Sequence, residues 1–324
     1  MRYVIVTHTD MDGVAAAALY AYLNRSKPEK LLYAEPYNID RALARLSRLS
    51  GYDKVVFFDL GLNNNVIDTV ANFASLLTSR GIRVEWYDHH VWNDEWIEKL
   101  KKSNVALFID RSTCATGVVA KYAPQDRENI DEEFVEELVS GVCGGDLFRF
   151  DHWLSPWFIR LVRRHDPNAW RNRVFQVLSE GKLWIPEFTE KILERLELEL
   201  RGYSNVFENT LFFNYNGVKF AVVLQNQYVE NSFVASYIIA RYGVDVVAIT
   251  SSDGKISLRS KYYNVRELAV ALGGGGHPRA SGAKIRIPLS IKLKRIINKR
   301  AVLEYVAKTI MNTLSSSGKL DKLE

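Results

Sequence analysis

The residues of this chain best suited to chemistry gather in four short stretches. "THTDMDG" offers His8, Asp10 and Asp12; "FFDLG" offers Asp59; "YDHH" offers Asp88, His89 and His90; "GGDLFRF" offers Asp146. A strand that ends in Asp-His-His is either a satisfied polar terminus or part of a metal site. A lone Asp-Gly after a strand is usually a turn, so no single stretch decides. Together they do. Carboxylates gathered in one place repel and lift one another's pKa, and divalent cations remove that penalty. Carboxylate oxygens mixed with imidazole nitrogens suit manganese, with magnesium, zinc or cobalt as substitutes. Of the six histidines, His8, His89, His90 and His277 fall in marked motifs, leaving His152 and His165 outside them.

Convergence of these stretches needs a scaffold that brings strand ends together. "YVIVT", "VVFFD" and "VALFI" are continuous apolar runs, the pattern of parallel strands covered on both faces. Strands are expected at Tyr3–Thr7, Leu31–Glu35, Lys54–Asp59, Arg83–Tyr87 and Val105–Ile109. Amphipathic helices are expected at Gly13–Asn24, Asp40–Leu49, Val66–Ser79, Asp94–Lys102 and Thr116–Tyr122. The fold class is α/β: a doubly wound, mostly parallel sheet whose ligands belong at the carboxyl ends of its strands. A smaller mixed α/β domain follows. Its signals are a hairpin at Asn216-Gly217, strands around Asp253-Gly254, and helices at Ser232–Tyr242, Val265–Leu272 and Leu303–Leu314. The expected organisation is a catalytic domain over residues 1–185, a charged connector helix over 186–203 and a second domain over 204–324.

Between them, Asp151–Phe175 interleaves tryptophans with arginines. It reads either as a surface that stacks bases and neutralises phosphates or as a packed helix with a solvated basic face. The Lys/Arg run from Lys292 to Arg300 is expected to be a solvated face, and "SSSGKLDKLE" a frayed tail.

The bulk properties narrow the class. A chain of 324 residues exceeds one typical domain, and 47% hydrophobic with 25% charged residues is ordinary for a globular protein with a sizeable core. Two cysteines, Cys114 and Cys143, make no disulfide framework or CxxC pair, which suggests a reducing, cytoplasmic setting. The N-terminus enters a strand-like run at once and leaves no room for a signal peptide. No apolar stretch approaches the roughly 20 residues that span a bilayer, so no membrane partner is expected. A formal charge of +5 and pI near 9.0 favour an anionic partner.

In that order, "HTDMDG", "FFDLG", "DHH" and "GGD" resemble the four motifs of the DHH phosphoesterase superfamily, of archaeal type. That group includes RecJ-like nucleases, oligoribonuclease and pAp-phosphatase enzymes, cyclic-dinucleotide phosphodiesterases and manganese pyrophosphatases. "SLRSKYYNVRELAVALGGGGHPRASGAKI" (Ser257–Ile285) resembles the DHH-associated C-terminal domain, so the likeness covers nearly the whole chain. The resemblance implies two divalent cations, manganese before magnesium or cobalt, bridged by Asp59. His8 and Asp10 would hold one; Asp12, His89 and Asp146 the other. "GGDLFRF" lacks the Asp-Thr-Gly common in enzymes for very short oligonucleotides, which makes Asp151 the alternative carboxylate.

Asp88 would orient or join the metal shell, and His90 would face the scissile phosphate. Gly273, Gly274, Gly275 and Gly276 would let backbone N–H groups close around a phosphate beside Arg259, His277 and Arg279, with the active site in the interdomain cleft. The implied function is a manganese-dependent phosphodiesterase or exonuclease, acting on short or single-stranded RNA or DNA by two-metal activation of water. The alternatives are a phosphoesterase for small nucleotides, such as pAp or a cyclic dinucleotide, and a non-catalytic nucleic-acid-binding relative. A homodimer is left open.

Overall fold

The computed structural model describes residues 2–124, 130–204, 206, 210–298, 300–317 and 320–323. The chain divides between Thr189 and Glu190 into two units, each with its own sheet and core.

In the first unit, β1 (Tyr3–Thr7) leads into α1 (Met11–Leu23). Then come β2 (Lys30–Tyr33), α2 (Ile39–Leu46), β3 (Lys54–Phe58), α3 (Ile67–Ser79), β4 (Arg83–Asp88), α4 (Asp94–Lys102) and β5 (Val105–Ile109). The five strands are all parallel, in the order β2-β1-β3-β4-β5. β1 and β3 are buried at every position, which is why their sequences run apolar without alternation. Val4, Val6, Val55, Phe57 and Trp86 on one face pack under α2, α3 and α4. The other face carries Phe58, Tyr87 and Phe108 in a stacked row, with Tyr20 of α1 against it.

Four more helices surround α1 or follow it: α5 (Ala115–Tyr122), α6 (Glu132–Asp146), α7 (Ser155–Leu161) and α8 (Asn168–Ser179). The sequence suggests an amphipathic α1 that starts at Gly13. It begins instead at Met11, because Asp10 caps it by accepting from the Gly13 N–H at 3.3 Å, and every residue from Met11 to Ala21 is buried. Small alanines at 15–18 let the neighbouring helices close on all sides.

The cysteines also correct an expectation. Cys114 and Cys143, 29 positions apart, are joined in a disulfide with their Cα atoms 5.1 Å apart. Their pairing depends on how α5 packs against α6, which no sequence spacing reveals. Loop-closure entropy for that separation is roughly 3–4 kcal/mol.

α9 (Pro186–Ser204) straddles the division between the units. The second unit opens with β6 (Thr210–Tyr215) and β7 (Val218–Leu224), joined at Asn216 (φ 49°) and Gly217 (φ 84°), both left-handed as a two-residue hairpin turn requires. α10 (Asn231–Tyr242) crosses over to β8 (Val246–Thr250), parallel to β7. β9 (Lys255–Arg259), α11 (Val265–Ala271), β10 (Gly275–Gly276), β11 (Ala280–Lys284), α12 (Leu289–Ile297) and α13 (Ala301–Ser317) complete the unit. Its sheet runs β10-β11-β9-β8-β7-β6 over a core that includes Val302, Val306 and Ile310 of α13.

The C-terminal residues are not frayed where described. Asn264 N–H donates to the Asp321 carbonyl at 2.8 Å, Leu323 N–H to that of Tyr262 at 2.9 Å, and Leu320 packs on the core. The basic run near Lys292 lies on α12, none of whose residues is buried. Among the described residues, no helix is long and apolar enough to cross a membrane.

Candidate metal centre

In the order β2-β1-β3-β4-β5 the chain reverses its direction of travel across the sheet between β1 and β3, the position at the strands' carboxyl ends where open α/β sheets bind ligands. Each ladder runs slightly past its strands. His8 N–H donates to the Phe58 carbonyl at 3.2 Å, and Asp59 N–H to that of Tyr87 at 3.0 Å. His8, Asp59 and Asp88 therefore stand at three adjacent strand ends. Asp59 takes a left-handed backbone (φ 54°), uncommon for a residue other than glycine.

That turn puts the Asp59 carboxylate between two groups. Its Oδ2 lies 3.1 Å from His8 Nδ1, and its Oδ1 lies 3.3 Å from His89 Nε2. His8, Asp10 and Asp59 bring donor atoms within 4.8 Å of one another, as do Asp12, Asp59 and His89. Asp146, the last residue of α6, places Oδ2 3.5 Å from His89 Nε2. Asp151 is not part of the cluster: it is 55% exposed and pairs with Arg149 at 3.0 Å.

Each group has its own supports. His8 Nδ1 lies 2.9 Å from Asp10, while its Nε2 lies 3.2 Å from Glu35, whose other oxygen accepts from the Thr9 hydroxyl. Arg164 reaches Asp10 from the outer side at 3.6 Å. Arg171, buried, ties this loop down by donating Nε–H to the Thr9 carbonyl at 2.6 Å. In the other group Asp12 accepts from Ala115 N–H (2.7 Å), Thr116 N–H (2.8 Å) and the Thr116 hydroxyl (2.6 Å), at the start of α5. Hydrogen bonds to a charged group contribute about 1.5–3 kcal/mol each. His89 Nδ1 faces the Thr113 carbonyl at 3.1 Å, which leaves Nε2 for the centre. Gly13 is required here, since a Cβ would sit 2.8 Å from the Cβ and carbonyl oxygen of His8.

The charges do not balance. Burial disfavours charge on His8 and His89, yet the surrounding carboxylates hold both well above the ordinary histidine value. Burial, then Asp59 and Asp146, push Asp12 well above the usual carboxylate range in spite of its three donors. Asp146 is raised too, by burial and by Asp59 and Asp10 against the pull of His89. Asp146 Oδ2 is buried and, among the described residues, receives no hydrogen bond. Surplus negative charge, an unanswered carboxylate oxygen and a mixed oxygen–nitrogen donor set together fit divalent cations.

Beside the cluster, Asp88 is fully buried and accepts the His90 backbone N–H at 2.6 Å, with His90 Nδ1 2.8 Å from the same oxygen. The ring of His90 is 31% exposed. Gly61 lets it lie close, because a Cβ there would meet His90 Cγ at 2.8 Å.

The remaining expected residues belong to the second unit. The Gly273, Gly274 and His277 N–H groups donate to the Val270, Ala269 and Ala280 carbonyls, and Gly275–Gly276 pair with β11. Two of the four glycine N–H groups expected around a phosphate, those of Gly273 and Gly274, are thus committed to the fold. Gly276 (φ 134°) is obligatory, as a Cβ would lie 2.7 Å from Ser281 Cα. Side chains are what this end of the sheet offers. Arg259 pairs in register with Ala280, and Ser260 N–H donates to the Arg279 carbonyl, so Arg259, His277 and Arg279 cluster at one end of β9 and β11.

Glu35, Thr113, Thr116 and Arg171 escaped the sequence reading. Glu35 had a signal, since it follows β2 as His8 follows β1. The Trp/Arg stretch divides: Arg160 and Arg171 are buried and unsuited to meeting phosphates, while Arg164 reaches Asp10.

The family model "DHH family, N-terminal domain" matches residues 2–145, and "DHHA1 domain" matches 220–308. Among solved structures, the chain is similar to a pGpG-specific phosphodiesterase, PggH, from Vibrio cholerae (15% identity, TM-score 0.55), covering 98% of this chain and 100% of that one. It is also similar to exonuclease RecJ bound to manganese (15%, TM-score 0.52; 94% and 90% covered). A third is an exopolyphosphatase-related protein from Bacteroides fragilis (14%, TM-score 0.51; 94% and 92% covered). No curated protein sequence matches the chain.

Proposed function

Since the chain belongs to the DHH superfamily, we propose that it is a manganese-dependent phosphoesterase that removes mononucleotides from short or single-stranded oligonucleotides. The observation that carries this reading is Asp59, one carboxylate with an oxygen toward each of two His/Asp groups. Bound there, two divalent cations would activate a water and neutralise charge on the phosphoryl group under attack. His8 and Asp10 would hold one cation and Asp12, His89 and Asp146 the other, with Asp59 offering an oxygen to each group. Asp88 orients His90 through its backbone N–H and Nδ1, which leaves Nε2 to meet a phosphate oxygen or the departing group. Arg259, His277 and Arg279 of the second unit grip a phosphate of the substrate through their side chains. The activities named for two fold neighbours, a pGpG-specific phosphodiesterase and an exonuclease bound to manganese, point the same way.

Labelled RNA and DNA from two to twenty nucleotides, assayed beside pAp and cyclic dinucleotides, test the proposal. Linear dinucleotides and short single strands are expected to be cut to mononucleotides, with activity lost in chelator and restored by manganese. Hydrolysis of pAp or a cyclic dinucleotide alone would replace the substrate class, and full activity in chelator would remove the metal.

A further inference from the structure

The Cys114–Cys143 disulfide lies within one half of the centre. Cys114 caps α5, and the residues on either side of it serve different ligands. Thr113, just before it, presents its carbonyl to His89 Nδ1 at 3.1 Å. Ala115 and Thr116, just after it, hold the Asp12 carboxylate through three donors at 2.6–2.8 Å. Cys143 lies on α6 three residues before Asp146, so one helical turn separates the bonded sulfur from the third carboxylate. The Thr113 hydroxyl adds a contact to Cys143 Sγ at 3.4 Å. Gly117 allows this close turn, since a Cβ would fall 1.9 Å from Thr113 Oγ1. Both cysteines are sealed from solvent, at 0% and 2% exposure.

We propose that this disulfide is a positioning element for half of the metal centre, fixing the start of α5 to the last turn of α6 so that Asp12, His89 and Asp146 form one preset ligand group. The inference rests on the two-metal reading. Without the bond, α6 can slide or rotate against α5, and Asp146 moves relative to His89 while the His8, Asp10 and Asp59 group keeps its supports. A crosslink that served stability alone would favour both groups equally. Burial of both sulfurs makes it a permanent fixture and not an exposed thiol pair.

The test compares the full chain with its Cys114→Ala/Cys143→Ala variant, both stripped of metal and titrated with Mn²⁺ by calorimetry. The wild type is expected to take two ions. The variant should keep one at wild-type affinity and bind the other about 10–100-fold more weakly, the scale seen when ligand supports are removed. Ile67→Ala, in the core under the opposite face of the sheet, provides a control for stability loss and should leave both affinities unchanged.

Unchanged affinities in the cysteine variant, equal weakening of both sites, or the same selective loss in Ile67→Ala would each overturn the inference. So would two free thiols by mass spectrometry of the alkylated, denatured wild type. A wild type that takes up no Mn²⁺ would overturn the metal reading and this inference with it.

Discussion

The two halves of the centre are built from similar ligands and held by different means. His8 and Asp10 are positioned mainly by side chains, Glu35 behind the imidazole and Arg164 outside the carboxylate, with one backbone donor, Gly13 N–H, to the 23% exposed Asp10. Asp12 and His89 are about 1% exposed and positioned largely by backbone groups, next to a disulfide. Side chains can swing with little cost; a helix start and a crosslink cannot. The inner half is thus held mainly by a helix start and a crosslink, and the outer half mainly by side chains. Asp59, serving both, must tolerate each.

Four substitutions test this contrast, beginning with the residue common to both halves. Asp59→Asn should lower activity by about 10³-fold or more and weaken both ions, read by calorimetry and single-turnover assays. Two tightly bound ions in that variant would show that the halves are independent. Glu35→Gln should weaken only the outer ion, by about tenfold, with unfolding in urea unchanged in chelator. If both ions weaken together, the halves are mechanically coupled.

Thr116→Val removes one donor to Asp12 and should cost about 1.5–3 kcal/mol of stability with a severalfold loss at the inner site. An effect confined to the outer ion would reverse the assignment of supports. Arg164→Ala should be mildest, because an exposed partner at 3.6 Å contributes at most about 1 kcal/mol; less than about fivefold in affinity is expected. A larger loss would make that arginine part of the ligand-binding surface itself.

Much of this was legible in the residues. Parallel strands buried on both faces leave continuous apolar runs such as Tyr3–Thr7 and Lys54–Phe58. Acids and histidines immediately after such runs have few structural reasons to be there. The Asn216-Gly217 turn was equally plain, since few other pairs accept two left-handed residues.

What stayed hidden depends on packing between distant segments. Nothing near Cys114 announces that Cys143 will lie 5.1 Å away. The burial of α1 on every side follows from four later helices, not from its own period. The docking of Leu320 and Leu323 depends on surfaces built from residues 262–310. The glycine run is ambiguous in sequence because its composition suits a phosphate cradle and a tight hairpin equally well.

The strand order has a consequence for how the site comes into being. β1 emerges first; β2 then adds to one edge, and β3, β4 and β5 add in turn to the other, so no strand has to be inserted between two already paired. A chain that folds as it is synthesised, N-terminal parts first, can grow this sheet outward from its middle. The outer ligand group is complete once residue 59 has left the ribosome tunnel. The inner group waits for residue 146, and its crosslink can close once Cys143, three residues earlier, has emerged. The outer ligands are therefore all made first, and the inner set, with its crosslink, is completed later, before Arg164 emerges to flank Asp10.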